Sequence, residues 1–192
     1  MKVTKRQLQA QNTKEKIYQT AVELMNKKGL NNITVEEVCK QAGVSVGSFY
    51  NCFKSKNDIM NEIYHDADEY FLHTVAPSLV EGTFEDKICK YFRDYAQYTV
   101  ARGIEFVKNL YNVYNTMFIK KGRHMQLVLL AVITEAQAAE QIRIDMSAEE
   151  IVEYLFIAAR GIVYDWCLHD GDYDLCEFMD RYFRRFLKTL YV

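Results

Sequence analysis

At 192 residues the chain has room for one or two domains with a hydrophobic core, and its 49% hydrophobic residues exclude a disordered polymer. The net charge of −2 argues against a nucleic-acid-binding protein, but residues 1–60 hold ten Lys and Arg against five Asp and Glu, and residues 61–192 hold fourteen against twenty-one. A basic N-terminal part beside an acidic remainder indicates that one end of the chain binds a polyanion.

The sequence carries no signal for a membrane or an oxidising compartment. The N-terminus lacks the apolar core of a signal peptide, and no stretch approaches the roughly 18 uninterrupted apolar residues of a transmembrane helix. The five cysteines are widely spaced without a C-x-x-C pair, which favours free thiols over disulfides or zinc. We therefore expect a cytoplasmic protein with no membrane partner.

The first predicted helix follows a polar, basic segment at residues 1–12, which we expect to be a loose arm. This arm is either a frayed terminus or a contact to phosphate or the minor groove. Thr13 is expected to cap the helix, and Gly29 to end it after two lysines. Between them, apolar residues recur on one helical face at Ile17, Ala21, Leu24 and Met25.

Residues 34–56 predict two short helices joined by a tight turn. Thr34 followed by Glu37 is the pattern of a capping box, and Gly43 suits the left-handed residue that ends a helix. Ser45 is expected to cap the second helix, over residues 46–53. A helix, a glycine turn and a second helix in about twenty residues form the helix-turn-helix pattern, whose second helix lies in the DNA major groove.

The second of these helices has an inner and an outer face. Phe49 and Phe53, four residues apart, must point inward, which leaves the candidate DNA-binding residues Val46, Gly47, Ser48, Tyr50, Asn51 and Cys52 outward or sideways. Gly47 would let the backbone approach DNA closely, and Asn51 could pair with the N6/N7 edge of adenine. Tyr50 is expected to hold a phosphate. Val46 could contact a thymine methyl or pack at the helix start.

The run A-G-V-S-x-G-S-F-Y-x-x-F-x-S-K, from Ala42 to Lys56, resembles the signature of the tetracycline-repressor (TetR) family. The resemblance covers about the first sixty residues. It implies that Lys56 binds phosphate, with the hydroxyl of Thr34 and the helix N-terminus at Ser45 as further contacts. Val46 and Cys52 depart from the commoner family residues, so the operator sequence is left open.

The remaining chain predicts helices only. Cap patterns at Thr83, Ser147 and Asp174 open three of them, further helices are expected over residues 104–120 and 123–140, and a helix from Ser55 should end or kink at Pro77. The expected fold is all-α with about nine helices. We divide it into a helix-turn-helix DNA-binding domain at residues 1–54 and a helical ligand-binding and dimerisation domain at residues 55–192.

The middle helices are crowded with aromatic side chains. Core packing accounts for any one of them, but buried tyrosine hydroxyls need partners, which a ligand or water in a cavity would supply. The family resemblance implies a small-molecule pocket among these helices. The candidate ligand-binding residues are Tyr91, Tyr95, Tyr98, Phe106, Tyr111, Tyr114 and Phe118.

Catalytic and metal sites find little support. No Gly-rich phosphate loop, H-E-x-x-H or nucleophile elbow is present, so we expect no enzyme and no cofactor. His65, Glu69 and His73 share one helical face and could hold a metal, but a solvated polar face explains them better. Cys52 lies too far into its helix for a strongly activated thiol.

The last two predicted helices have wide apolar stripes. Both helices could be buried within one chain, or the stripes could also contact a second copy in a two-fold four-helix interface. A short recognition helix alone gives weak specificity, which favours a homodimer on two half-sites. The candidate interface residues are Ile151, Leu155, Ala158, Ile162, Tyr182, Phe183, Phe186 and Leu187.

These observations predict a homodimeric, ligand-responsive transcriptional regulator. We expect it to repress by binding a palindromic double-stranded DNA operator and to leave it when a small molecule binds. Two alternatives stay open: an activator with the same DNA-binding domain and no small-molecule inducer, and a helical protein-interaction module that no longer reads DNA.

Overall fold

The computed structural model describes residues 4–29, 32–112 and 115–191, without the side chain of residue 57. Over these residues the chain forms nine α-helices and no strand, which confirms the predicted all-α class. Two compact units are present, Met1–His65 and Asp66–Val192. The division falls between residues 65 and 66, inside the helix that spans Lys56–Tyr70, whereas the sequence predicted a domain boundary between residues 54 and 55. In the described residues no helix combines the length and apolarity needed to cross a membrane.

The first unit contains α1 (Lys5–Lys28), α2 (Val35–Ala42), α3 (Val46–Cys52) and the start of α4 (Lys56–Tyr70). Its core consists of apolar side chains that recur at helical spacing and are almost fully buried, as predicted for the first helix. They include Ile17, Ala21, Leu24, Met25, Val38, Phe49, Phe53 and Ile59.

The predicted start of the first helix at Thr13 is wrong. Thr4 caps α1 instead, and a reciprocal pair of hydrogen bonds between Thr4 and Gln7 forms a capping box. Thr13 lies inside the helix, where its hydroxyl donates to the Gln9 carbonyl at 2.9 Å. Lys5 and Arg6 are therefore helical residues and not part of a loose arm.

In the second unit, α5 spans Phe84–Ala101, α6 Ile104–Leu110, α7 His124–Ala138, α8 Ala148–Leu168 and α9 Leu175–Phe186. Three predicted caps are confirmed. The side chains of Thr83, Ser147 and Asp174 accept hydrogen bonds from the backbone N–H three residues on, at 3.2, 3.2 and 2.9 Å. These caps stabilise the helix starts by satisfying otherwise free N–H groups.

The predicted helix over residues 104–120 is too long, because α6 ends at Leu110. Asparagine side chains compete with the helix for backbone groups after that point. The Asn115 side chain donates to the Leu110 carbonyl at 2.8 Å and accepts from the Met117 N–H at 3.2 Å. A short 3-10 turn, Thr116–Ile119, follows.

The helix that contains α4 changes its winding before Pro77. Residues Phe71–Val75 form a π-helical turn, and Ala76–Leu79 form a 3-10 turn with Pro77 near its start. Proline lacks the N–H that α-helical bonding requires, so the α-helix cannot continue through it. The sequence predicted this end or kink but not the π-helical turn.

Packing in the second unit centres on aromatic side chains of α5. Phe92 stacks on Phe183 of α9, with ring centroids 4.0 Å apart and planes 4° apart. Arg184 of α9 also reaches Glu85 of α5 at 2.9 Å. A part-buried ion pair joins Asp68 near the end of α4 to Arg123, which precedes α7, at 3.1 Å. Asp68 also accepts a hydrogen bond from the Met125 N–H at 3.2 Å.

Candidate nucleic-acid interface and ligand cavity

The turn between α2 and α3 forms as its residues predict. Gly43 has φ 63° and ψ 40°, the left-handed conformation that ends α2. The hydroxyl of Thr34 accepts from the Glu37 N–H at 3.2 Å. The second bond of the predicted capping box is missing, because the Glu37 carboxylate pairs with Lys28 of α1. This ion pair ties α1 to the start of α2.

Serine side chains build the start of α3. The Ser45 hydroxyl accepts from the Ser48 N–H at 3.0 Å, and the hydroxyls of Ser45 and Ser48 are 2.9 Å apart. Ser48 is half-buried in this arrangement. Its hydroxyl is therefore held by the cap, with a fixed position from which it could meet a phosphate or base edge.

The two faces of α3 separate as predicted. Phe49 and Phe53 are buried in the first unit, and the Lys14 ammonium of α1 lies 5.7 Å from the centre of the Phe53 ring. Tyr50 is 55% exposed and Val46 40% exposed. Gly47 and Asn51 are also exposed, whereas Cys52 is half-buried. Packing of the two phenylalanines thus fixes the orientation of α3.

The structure places Lys56 differently from a free surface lysine. Its side chain is half-buried, and its ammonium donates to the Ile33 carbonyl at 3.1 Å, just before the Thr34 cap. The lysine thereby puts a positive charge beside the start of α2. Helix N-termini attract anions, so this position suits a phosphate contact that also involves Thr34.

Replacing Gly47 by Ala is expected to have opposite effects on folding and on DNA binding. A Cβ at Gly47 would meet only the Ser45 hydroxyl, at 3.8 Å, which is an ordinary contact. Alanine also favours a helix over glycine by about 1 kcal/mol. The variant should therefore melt no lower than the parent. Its DNA affinity should fall about tenfold, because the added methyl group would hold the backbone of α3 away from the DNA.

Thermal melting and mobility shift at fixed salt measure the two effects of Gly47→Ala. Ala42→Gly, a buried change on α2, is the control with the reverse expectation: a less stable first unit whose DNA-facing side chains are unaltered. If Gly47→Ala bound DNA as tightly as the parent, the backbone of α3 would not approach DNA closely at this position.

Two short helices, a left-handed glycine turn and an outward-facing second helix define the protein as one with a helix-turn-helix domain. Residues 17–63 match the family model of bacterial regulatory proteins, tetR family. The chain is 38% identical over 61 residues to the uncharacterized regulator YvdT of Bacillus subtilis, a match covering 32% of this chain and 30% of that protein. Over this N-terminal domain the chain is therefore similar to regulators of the TetR family.

The first curated relatives match over a small part of their length: 30% of YvdT and 26% of the regulator AcrR of Shigella flexneri. A longer match, 22% identical over 166 residues, is with the fatty acid metabolism regulator protein of Bacillus subtilis, and it covers 83% of this chain and 86% of that one.

Solved structures share the fold of nearly the whole chain. FadR from Bacillus subtilis in complex with stearoyl-CoA has a TM-score of 0.72 at 19% identity, over 88% of this chain and 95% of that one. NalD, the secondary repressor of the MexAB-OprM efflux pump in Pseudomonas aeruginosa, has a TM-score of 0.72 at 14% identity, over 95% and 98%. These similarities concern the fold alone.

Most of the predicted ligand-binding aromatics lie in or beside the packed core. The hydroxyl of fully buried Tyr91 donates to the Met125 carbonyl at 2.7 Å. Tyr95 and Tyr111 share a hydrogen bond of 2.6 Å between their hydroxyls, and Tyr98 accepts one from Arg102. Burial raises the pKa of Tyr95, so its phenol stays neutral.

Among the other predicted ligand-binding residues, Phe106 is buried, and Tyr114 falls outside the described residues. Phe118 packs on Tyr111 with ring centroids 4.7 Å apart. It also lines a cavity of about 280 Å³ between the 3-10 turn, α7 and α8. The sequence did not indicate the other residues of this wall, which include Leu127, Leu130, Val152, Phe156 and Arg160.

In the described part of the chain, no three His, Cys, Asp or Glu side chains are grouped to hold a metal ion. Glu69 instead pairs with His73 at 3.2 Å and lies 3.8 Å from His124. The five cysteines are free thiols, as predicted. Burial raises the pKa of Cys89 to about 12 and of Cys167 to about 11, so neither is a thiolate nucleophile at neutral pH.

The predicted interface residues on α8 and α9 fall into two groups. Ile151, Leu155, Ile162, Phe183 and Leu187 are buried within their own unit, so they cannot contact a second copy directly, and their assignment to an interface surface is wrong. Their helical spacing marks the face of each helix that packs in the core. Ala158, Tyr182 and Phe186 keep partial exposure and remain candidates.

A second stripe on α8 faces outward and was missed from the sequence. Its members follow a 3-4 spacing, which places them on one helical face. Among them Ile157 is 56% and Leu168 66% exposed. A small residue, Gly161, lies at the middle, and a Cβ there would meet nothing within 4 Å. We call this set the α8 outer stripe: Tyr154, Ile157, Gly161, Tyr164 and Leu168.

Proposed function

We propose that the protein is a transcriptional regulator that binds double-stranded DNA through the exposed face of α3. The observation that carries this proposal is the orientation of α3. Phe49 and Phe53 anchor the helix from one side, and Tyr50 and Asn51 are exposed on the other. Asn51 supplies a base-reading amide, whereas Tyr50, Lys56 and Thr34 supply phosphate contacts.

The proposed assembly is a homodimer that reads two half-sites of a palindromic operator. The α8 outer stripe supports it, together with exposed Tyr182 and half-buried Phe186 of α9. Tyr182 and Phe186 stack with ring centroids 5.8 Å apart, beside Arg181 and Arg185. Contiguous aromatic and arginine side chains are typical of interface centres. Two copies related by a two-fold axis would each cover the stripe of the other.

The proposed mode of action is repression relieved by a small molecule. Two fold relatives support it: one is described as a secondary repressor, and another was crystallised with stearoyl-CoA. The cavity beside Phe118 offers this chain a place for a ligand. The dimer would have one form that fits the operator and one that does not. A ligand that binds the second form more tightly would shift the population toward it and so release the dimer from DNA. An activator with the same domain is the second candidate, and deleting the gene in a reporter strain separates the two.

Replacing Tyr50 by Ala tests the DNA-binding face. We expect operator affinity to fall about tenfold or more, since a hydrogen bond to a charged group such as a phosphate contributes about 1.5–3 kcal/mol. The dimer and its melting temperature should not change, because the Tyr50 side chain is mostly solvent-exposed.

Mobility shift at fixed salt measures the effect, with Gln19→Ala on the exposed side of α1 as control. If the Tyr50→Ala and Gln19→Ala variants bound the operator as well as the parent, the exposed face of α3 would not be the contact surface.

A further inference from the structure

The cavity beside Phe118 has an apolar floor and a charged edge. The floor comes from two helices and the turn before them, through Phe118, Leu130 and Phe156 among others, and the charged edge comes from Lys121, Glu149, Glu153 and Arg160. At about 280 Å³ it lies near the lower end of the ~300–1,000 Å³ range of ligand pockets. It therefore suits a small amphipathic molecule better than a drug-sized one.

The charges at this edge are not equivalent. Lys121 lies 3.7 Å from Glu153, and both side chains are largely exposed, so water and salt screen their charges. Glu149 is exposed, and water and salt screen its charge. The half-buried Arg160 guanidinium donates to the Phe118 carbonyl at 3.1 Å, and over the described residues it forms no ion pair.

A guanidinium has five N–H donors, of which Arg160 uses one nitrogen on a neutral acceptor. A half-buried cation gains most from a planar anion that can accept two parallel hydrogen bonds, which a carboxylate does. The apolar floor meanwhile gains from a hydrocarbon group. The two features together suit a ligand with a carboxylate at one end and an apolar body at the other.

We propose that this cavity binds a small carboxylate-bearing amphiphile, with its carboxylate on Arg160 and its hydrocarbon part against Leu130 and Phe156. The inference rests on the proposed function only in that such a molecule would be the regulatory ligand. Binding to the cavity itself does not depend on DNA.

The test is titration calorimetry on the full-length chain with octanoate, 1-octanol and octylammonium, which share one tail and differ in head charge. Octanoate should bind at least about tenfold more tightly than either, because a hydrogen bond to a charged group contributes about 1.5–3 kcal/mol. Equal binding of the three compounds, or no binding of any, would overturn the proposal.

Three variants locate the site. Arg160→Gln should lower octanoate affinity about tenfold and leave 1-octanol within about twofold, whereas Arg160→Lys should recover part of the octanoate affinity. Lys120→Gln, an exposed lysine outside the cavity wall, is the matched control and should change octanoate affinity by less than about twofold. Retained octanoate binding in folded Arg160→Gln would overturn the assignment.

Leu130→Trp provides a second test if Arg160→Gln does not fold. The larger side chain should fill the apolar part of the cavity and abolish binding of both octanoate and 1-octanol. DNA binding of the parent is titrated with salt on the same sample. Failure of the octanoate result with DNA binding intact refutes only this inference, whereas absence of DNA binding with octanoate binding intact refutes the proposed function.

Discussion

Replacing Ile157 by Asp is expected to convert the proposed dimer into monomers and to lower affinity for a palindromic operator by at least about 100-fold. Ile157 is 56% exposed near the middle of the α8 outer stripe, so the free monomer tolerates the change. In the dimer the new carboxylate would be buried without a partner, which costs several kcal/mol. A monomer would then hold one half-site only.

Ile144→Asp is the matched control for Ile157→Asp. Ile144 is 78% exposed in the segment between α7 and α8 and lies outside the stripe, so the same chemical change should leave the mass and the affinity unaltered. Sedimentation equilibrium gives the mass and mobility shift gives the affinity. A dimeric Ile157→Asp with parental affinity would exclude the α8 outer stripe as the interface.

Replacing Asp68 by Ala is expected to destabilise the second unit by about 1–3 kcal/mol, because the almost fully buried Arg123 loses its carboxylate partner. The Arg123 side chain is 8% exposed and the Asp68 side chain 15%. Asp68→Ala also removes the acceptor of the Met125 N–H at the start of α7. This is the largest stability effect that we expect from a single polar side chain of this unit.

The double variant Asp68→Leu/Arg123→Met removes both charges, whereas Asp68→Ala leaves the Arg123 charge without its carboxylate. Comparing the two variants shows which of these losses destabilises the unit. The double variant should be clearly more stable than Asp68→Ala, since apolar residues of similar size replace buried pairs at little cost. Urea unfolding followed by the fluorescence of Trp166, the only tryptophan, reports on this unit. A destabilisation below about 1 kcal/mol in Asp68→Ala would show that the pair is effectively solvated.

Local signals predicted the helices well where a cap is built from neighbouring residues. Thr83, Ser147 and Asp174 each act within one turn, so three or four letters of sequence suffice. Thr13 misled because Thr4 caps the helix nine residues earlier, in a capping box with Gln7. The helix predicted through residue 120 failed because asparagine side chains after Leu110 bond the backbone themselves.

The orientation of α3 was predictable because two phenylalanines four residues apart leave one choice of inner face. The faces of α8 were not, since its sequence is apolar on both sides. Periodicity identified Ile151 and Leu155, which pack in the core, and missed Ile157 and Leu168, which are exposed. A helical pattern gives the angle between side chains, and only tertiary contacts show which stripe the protein itself covers.

The cavity also lay beyond the sequence, because its wall joins a turn and two helices that are distant along the chain. The tyrosine hydroxyls that suggested a pocket have hydrogen-bond partners within the protein: Tyr95 bonds Tyr111, and Tyr91 bonds a backbone carbonyl. Hydroxyl partners within the protein removed the need for a ligand there. Arg160 gave no sequence signal, since a lone arginine on a helix is commonly a surface residue.

Selection of bound sequences from a pool of random DNA duplexes tests most directly whether α3 reads DNA as part of a dimer. We predict enrichment of one palindrome whose half-site centres lie ~34–36 Å apart, or a multiple of that, bound at least ~10³-fold more tightly than random duplex at physiological salt. Recovery of no common sequence, with equal affinity for every duplex, would contradict the account.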